Sequence, residues 1–257
     1  MAVDDVVLES VASGSAPPTV RFYGWSPPCL SLGYFQSYDV VDVDACRMRG
    51  VDIVRRPTGG RAILHDRELT YSIALPAAVL GQDRGILPSY YRISRGLQAG
   101  LAAIGVVTTM APGSAAASTP EHGPICFDRP SAHEILFDGR KLVGSAQVRR
   151  GSALLQHGSI LIEPRMATML ECLRLPVPAG RGERPSQSVE ASVVGLAELG
   201  IVDGYTLTQP LAEAIAGEFG VDPTMGELSA AERQGADELT RSKYQSSDWT
   251  ERPLALD

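Results

Sequence analysis

The sequence predicts an α+β fold with a mixed, largely antiparallel sheet flanked by helices. Short runs with strand character crowd residues 20–162, and helical periodicity dominates residues 192–243. The two kinds of segment do not alternate as βαβ units would require. Asp138-Gly139 between two apolar runs is a strong hairpin signal and asks for antiparallel pairing. Finally, 257 residues at 44% hydrophobic content can bury one sizeable core, so residues 1–257 are expected to form one domain.

Each element has a local reason. Residues 1–13 place Val3, Val6, Val7 and Val11 on one helical face. Residues 20–25 and 29–35 read as strands around a Ser26-Pro27-Pro28 turn. Asp39 is expected to cap a helix that runs to Met48 and stops at Gly50. Residues 51–54 form a buried strand, 55–60 a turn, and 62–65 and 69–75 further strands. Pro88 opens a helix that reaches Ile104 and ends at Gly105. Residues 111–124 are rich in Ala, Ser, Gly and Pro and form a loop. Strands at 134–137, 141–147 and 154–162 follow. A second Pro/Gly-rich connection spans 174–189, before helices at 192–199, 208–219 and 229–243.

Composition excludes several classes. Charged residues are 21% of the chain, near the globular average, so wholesale disorder is not expected. No apolar run approaches a membrane span, and the acidic start lacks the basic region of a signal peptide, so a cytoplasmic location is expected. A net charge of −7 argues against nucleic-acid binding. Cys29, Cys46, Cys126 and Cys172 stand too far apart for metal-ligand spacing, and a disulfide framework is not expected in a chain of this kind. Lysine occurs only at positions 141 and 243.

Three segments can carry chemistry. In Arg55-Arg56-Pro57-Thr58-Gly59-Gly60-Arg61, paired glycines let backbone N–H groups approach an anion, and the arginines offer forked donors. On spacing alone, a glycine turn with solvated arginines is the simpler reading. Cys126 follows the long polar loop, where a reactive thiol would sit, although a lone cysteine is usually a small buried hydrophobe. In the hairpin 139–147, small residues Gly144, Ser145 and Ala146 leave room for a ligand beside the strand. Lys141 could polarise a carbonyl there, or simply be solvated beside the turn. His65 and His157 could be satisfied strand histidines; His122 and His133 carry no motif. The other three cysteines read as packing.

Taken in order, these segments resemble the biotin/lipoate protein ligase and transferase superfamily. RRPTGGRAILHDRELTYS is similar to its ligand-binding signature, and GRKLVGSAQVRRGSALLQHGSIL to its second signature, whose lysine falls on Lys141. Lesser matches run from RFYGWSPPCLSLGYFQ to KYQSSDW, so the resemblance covers nearly the whole chain. Arg61 in place of a third glycine, and ICFDRPSAHEI around Cys126, resemble the LipM-type octanoyltransferase branch. Ligases of the superfamily typically carry an added C-terminal domain for which no room is expected here. Relatives usually place a strand before the first helix, where this chain starts at the helix.

The resemblance implies a biotin/lipoate ligase catalytic-domain fold and an acyl transfer. An octanoyl group would pass from acyl carrier protein through a thioester on Cys126 to a lysine of a lipoyl domain or glycine cleavage H protein. Lys141 would stabilise the thiolate and the developing oxyanion. Arg55, Arg56, Thr58, Gly59, Gly60, Arg61, His65, Gly144, Ser145, Ala146 and His157 would bind substrate. No cofactor, metal or nucleotide is required. An ATP-dependent lipoate–protein ligase, an octanoyl amidotransferase drawing on the H protein, and a non-catalytic carrier-binding module are the alternatives. Because the carrier and acceptor proteins of this chemistry are typically acidic, Arg55, Arg56, Arg61, Arg140, Arg149 and Arg150 are expected to supply a basic rim. Arg149 and Arg150 should point to opposite faces of their strand, so at most one would serve.

Overall fold

The computed structural model describes residues 1–81, 85–111, 134–174 and 189–251. Strands β1 (Thr19–Tyr23), β5 (Glu68–Pro76), β6 (Thr109–Met110), β7 (Ile135–Phe137), β8 (Arg140–Arg150) and β9 (Ala153–Leu161) build a six-stranded sheet. Its order is β1-β5-β9-β8-β7-β6, and every pairing is antiparallel. A smaller sheet has β2 (Cys29–Leu32) between β3 (Asp52–Arg55), parallel to it, and β4 (Ile63–His65), antiparallel. The expected mixed, largely antiparallel architecture is therefore present.

Alternation along the central strands gives the large sheet two unlike faces. Leu69, Tyr71, Ile73 and Leu75 of β5 join Leu154 and Ile160 of β9 in one apolar cluster with Ile93, Leu97 and Leu101. The last three lie on α3 (Ile86–Ala103), which packs against α5 (Thr208–Gly217) through Leu211 and Ile215. Gly96 and Gly100 of α3 lie against the backbone of Ile215 and Leu211, so the two helices touch at their small residues. The opposite face carries Glu68, Thr70 and Ser72 of β5 with His157 and Ser159 of β9, all buried. One end of it is covered by α1 (Ala2–Ser13) through Val7, Leu8 and Val11 on Ala74 and Leu155. The other end meets the small sheet and α4 (Met166–Glu171) around Leu30, Leu32, Leu64 and Leu161.

Several boundaries differ from expectation for local reasons. Helix α2 (Val43–Met48) is capped by Asp42, whose Oδ1 accepts the Ala45 N–H at 2.9 Å, not by Asp39. Asp39 instead lies in a 3-10 turn, Tyr38–Val40, begun by Ser37. The helix expected over 192–199 is only a 3-10 turn, Leu196–Leu199. Its first residues run alongside β8 instead: Lys141 N–H donates to Ser192 O, and Val194 N–H to Lys141 O. Helix α4, with Met166, Met169 and Leu170 buried, lies between the expected strand 154–162 and the connection 174–189, where no element was expected. Near the C-terminus, α6 (Ala230–Leu239) has a capping box of Ser229 and Glu232, and α7 (Ser247–Thr250) follows. Among the described residues, no helix is long and apolar enough to cross a membrane.

Candidate active site

The two signature segments meet where the small sheet lies on the polar face of the large one. From the small sheet, β3 delivers the turn that follows Arg55. Its carbonyls are turned inward and held: Tyr34 N–H donates to Thr58 O at 2.8 Å, and Arg56 Nη2 donates to Gly59 O at 2.8 Å and Arg61 O at 2.7 Å. Gly60 has φ 93°, a left-handed conformation suited to glycine. Its carbonyl presses so closely on Gly33 that a Cβ there would stand 1.8 Å away. Thr58 is buried, Gly59 half-buried and Gly60 exposed. No acceptor among the described residues pairs with the N–H of Gly59 or Gly60. Two free amides beside an arginine-braced turn suit an anion or a developing oxyanion.

From the large sheet, β8 delivers Lys141. An irregularity in the β7–β8 pairing beside Ile135 and Leu136 lets Lys141 leave the regular alternation. The side chain then lies over Gly144, where a Cβ would meet Lys141 Cε at 2.9 Å and Nζ at 3.2 Å. Lys141 is 2% exposed, and its Nζ donates to Glu134 Oε1 at 2.6 Å. A buried ammonium is tolerable only with such a partner. Gly144 stands opposite Ser159, and Ala146 opposite His157, so all four share the face that looks toward the small sheet.

His157 fastens the turn to this face. Its Nε2 lies 2.6 Å from Thr58 Oγ1. Burial pushes its pKa down to about 3, nearby Arg56 and His65 adding to the effect against the attraction of Asp4, so the ring is neutral. His65 serves a second connection. Its Nδ1 bonds Glu68 Oε1 at 2.7 Å, its Nε2 bonds Ser31 Oγ at 2.8 Å, and Trp25 stacks on the ring with centroids 4.3 Å apart.

Other expectations are corrected. Arg55 is 0% exposed, and its guanidinium donates to five carbonyls, those of Gly33, Tyr34, Gln36, Trp249 and Thr250. It ties the C-terminal segment to the signature and is shut off from solvent. Arg56 is likewise buried and grips its own turn. Ser145 faces the other way from Gly144, with its Oγ 2.6 Å from Tyr71 Oη in the α3 layer. The three small residues therefore cannot line one wall. The basic rim is not assembled either: Arg140 pairs with Glu198, Arg150 with Asp5 and Glu9, and Arg149 donates to Gly85 O. Arg149 and Arg150 do point to opposite faces. Arg61 is half-buried at the turn.

Cys126 lies outside the described residues, as do His122 and His133. Cys29, Cys46 and Cys172 are buried, as their patterns implied. Burial, with Asp52 nearby, pushes the Cys29 thiol up to about 12, so it holds its proton. Glu134, Ser31, Glu68, Ser159 and Trp25 were not singled out in the sequence. A usable signal existed for one of them: His65 and Glu68 flank a two-residue corner, Asp66-Arg67, where the chain passes from the small sheet to the large.

A model of the lipoyl protein ligase A/B catalytic domain matches residues 1–216. The chain belongs to this family. Within the lipoyl ligase family it is 40% identical over 259 residues to a protein of Kyrpidia tusciae called octanoyltransferase LipM, covering 98% of this chain and 93% of that one. A protein of the same name from Moorella thermoacetica is 40% identical over 255 residues, with the same coverages. Among solved structures, a lipoate-protein ligase A bound with ATP superposes with TM-score 0.80 at 22% identity, covering 98% of this chain and 93% of that chain. A bipartite lipoate protein ligase from Thermoplasma acidophilum gives 0.78 at 21%, covering 100% and 92%. These structural likenesses establish the lipoyl ligase fold.

Proposed function

We propose that the chain is a cytoplasmic octanoyltransferase of lipoate biosynthesis, an acyltransferase that uses Cys126 and Lys141. The name shared by relatives at 40% identity supports the activity, and the ligase alternative is not favoured. The observation that carries the chemistry is Lys141. Its ammonium is buried against Glu134 and laid over Gly144, on the sheet face to which His157 fastens the glycine turn.

Octanoyl-acyl carrier protein is the donor in this reading. The Cys126 thiolate attacks the thioester carbonyl carbon; a bond to Cys126 Sγ forms, the bond to the pantetheine sulfur breaks, and that sulfur takes up the proton Cys126 released. The Lys141 charge favours the thiolate and the oxyanion of the tetrahedral intermediate. An acceptor lysine of a lipoyl domain or glycine cleavage H protein, as a neutral amine, then attacks the acyl-enzyme. Its C–N bond replaces the C–S bond, and its proton returns to the Cys126 sulfur. Glu134 stands eight residues after Cys126 in sequence and is bonded to Lys141, which supports pairing the two residues in one mechanism.

Mixing the protein with octanoyl-acyl carrier protein should add one octanoyl group by intact-mass spectrometry, and hydroxylamine should remove it. Cys126→Ala should lose both the adduct and transfer, whereas Cys29→Ala and Cys172→Ala should keep them. Full transfer by Cys126→Ala, dependent on ATP, would replace the thioester mechanism with a ligase one.

A further inference from the structure

Ser31, His65 and Glu68 have the connectivity of a nucleophile–base–acid triad: Ser31 Oγ to His65 Nε2 at 2.8 Å, and His65 Nδ1 to Glu68 Oε1 at 2.7 Å. Burial rules out that use. Ser31 is 0% exposed, and its Oγ already accepts from Arg56 Nη1 at 3.2 Å. The hydrogen-bond directions can be assigned from the ends inward. Arg56 has only donors. Glu68 Oε1 also takes the hydroxyls of Thr70 at 2.6 Å and Ser159 at 2.8 Å, so the carboxylate is the common acceptor. His65 Nδ1–H therefore donates to Glu68; the buried Ser31 hydroxyl accepts from Arg56 and has His65 Nε2 as the partner for its own O–H.

We infer that Ser31, His65 and Glu68 are positioning residues for acyl transfer, a buried relay that sets Arg56 and through it the 58–61 turn. The relay ends on the guanidinium that holds the Gly59 and Arg61 carbonyls inward. In a planar trans peptide the Gly60 N–H points opposite to the Gly59 carbonyl, so Arg56's grip on that carbonyl sets the direction of the Gly60 amide; the Gly59 amide is set in the same way by the Thr58 carbonyl, which Tyr34 holds. Trp25 locks the ring plane by stacking on His65 and by donating its Nε1–H to Thr70 at 2.8 Å. The second oxygen of Glu68, Oε2, is buried without a partner among the described residues. A buried carboxylate with one oxygen unsatisfied is a poor way to stabilise a core, which favours a positioning role over packing. His157 anchors the same turn independently through Thr58.

This inference rests on the proposed acyl transfer, and the test separates the two. Single-turnover formation of the Cys126 acyl-enzyme is followed with a small octanoyl thioester in Ser31→Ala, His65→Ala, their double variant, and His65→Ala combined with Thr58→Val. Each of the first two should slow acylation about tenfold or more, with KM changed by less than about twofold, because the turn is misplaced while the acyl pocket remains. The double variant should be no slower than the worse single one, since both cut one chain, while the Thr58 combination should multiply. His65→Gln, whose amide oxygen reaches the Nε2 position and can accept from Ser31, should recover part of the rate. Should His65→Ala fail to fold, Ser31→Ala and His65→Gln carry the test, with thermal melts checking each. Rates within about twofold of the unaltered protein in both Ser31→Ala and His65→Ala, or losses that multiply between them, would overturn the relay alone. An unaltered protein that forms no acyl-enzyme would overturn the proposed function, and the relay with it.

Discussion

The two faces of the six-stranded sheet are made by the same strands, yet they differ in almost every side chain. On β5, Leu69, Tyr71, Ile73 and Leu75 look toward α3, while Glu68, Thr70 and Ser72 look toward the small sheet. On β9, Leu154 and Ile160 oppose His157 and Ser159. Both sets are buried, so burial alone does not distinguish them. The α3 face is satisfied mainly by apolar contact, with a few bonds around Tyr71. The other face is packed by apolar contact only at its two ends; between them its polar side chains are satisfied by directed bonds, and those of Thr58 with His157 and Ser31 with His65 fix the small sheet and its turn against the large one. One face supplies stability without selecting a chemistry; the other holds a charged lysine and a glycine turn in register at a cost in desolvation.

The largest effect should come from the α3 face, and it should be a stability effect alone. Leu97 is 0% exposed in the centre of that cluster. Leu97→Ala should cost about 2–5 kcal/mol of unfolding free energy, read by denaturant melts. Acylation measured well below the melting transition should stay close to normal. A specific loss of acylation in folded Leu97→Ala would break the division between the faces.

Next in size, Lys141→Arg should slow acylation about 10²–10³-fold, because the planar guanidinium cannot occupy the space over Gly144 and keep the 2.6 Å bond to Glu134. Its positive charge still partners Glu134, so the melting temperature should fall little. Near-normal acylation by Lys141→Arg would return the lysine to the role of a simple ion-pair partner.

A smaller effect links the polar face to pH. His157 is neutral in the folded protein because burial depresses its pKa to about 3, whereas an unfolded histidine titrates near 6.5. Between those values the unfolded chain binds more protons than the folded one. Stability is therefore complete above about pH 6.5 and falls as the pH drops toward about 3, by about 2 kcal/mol at pH 5 from this group. His157→Gln cannot take up that proton. Its stability should decline less between pH 7 and pH 5 than that of the unaltered protein, even if it starts lower. Parallel stability curves would mean that His157 does not titrate in this way.

How much of this division was legible depended on what each segment's pattern could encode. The hairpin at Asp138-Gly139, the strands of the central sheet and helix α3 announce themselves by turn residues and periodicity. The two signatures could be found as motifs, and Lys141 with them. The role of Arg55 could not, because five carbonyls from two distant parts of the chain are its partners; a sequence shows a guanidinium but not what surrounds it. Ser31 and Glu68 were silent for the same reason, since a serine in a strand becomes part of a relay only when another sheet closes over it. The helix expected over 192–199 failed because its backbone had a better partner in Lys141, a tertiary contact that local propensity does not contain.

The sharpest test compares adjacent residues of β8. Gly144 and Ser145 are neighbours in sequence and lie on opposite faces. An added methyl at Gly144 would stand 2.9 Å from Lys141 Cε. The obstacle is the end of a flexible side chain, so Gly144→Ala should fold, but Lys141 must shift by a few tenths of an ångström. Acylation should fall about tenfold, near 1.4 kcal/mol in the barrier, with little change in melting. Ser145→Ala removes the 2.6 Å bond to Tyr71 on the other side. Tyr71 keeps a bond from Gln156 at 3.1 Å, so the cost should be about 1 kcal/mol of stability, and acylation should stay within about twofold. Measuring both variants by melt and by single-turnover acylation decides the matter. If both lose rate equally, or if Ser145→Ala loses the rate and Gly144→Ala the stability, the chemical face of the sheet has been assigned to the wrong side.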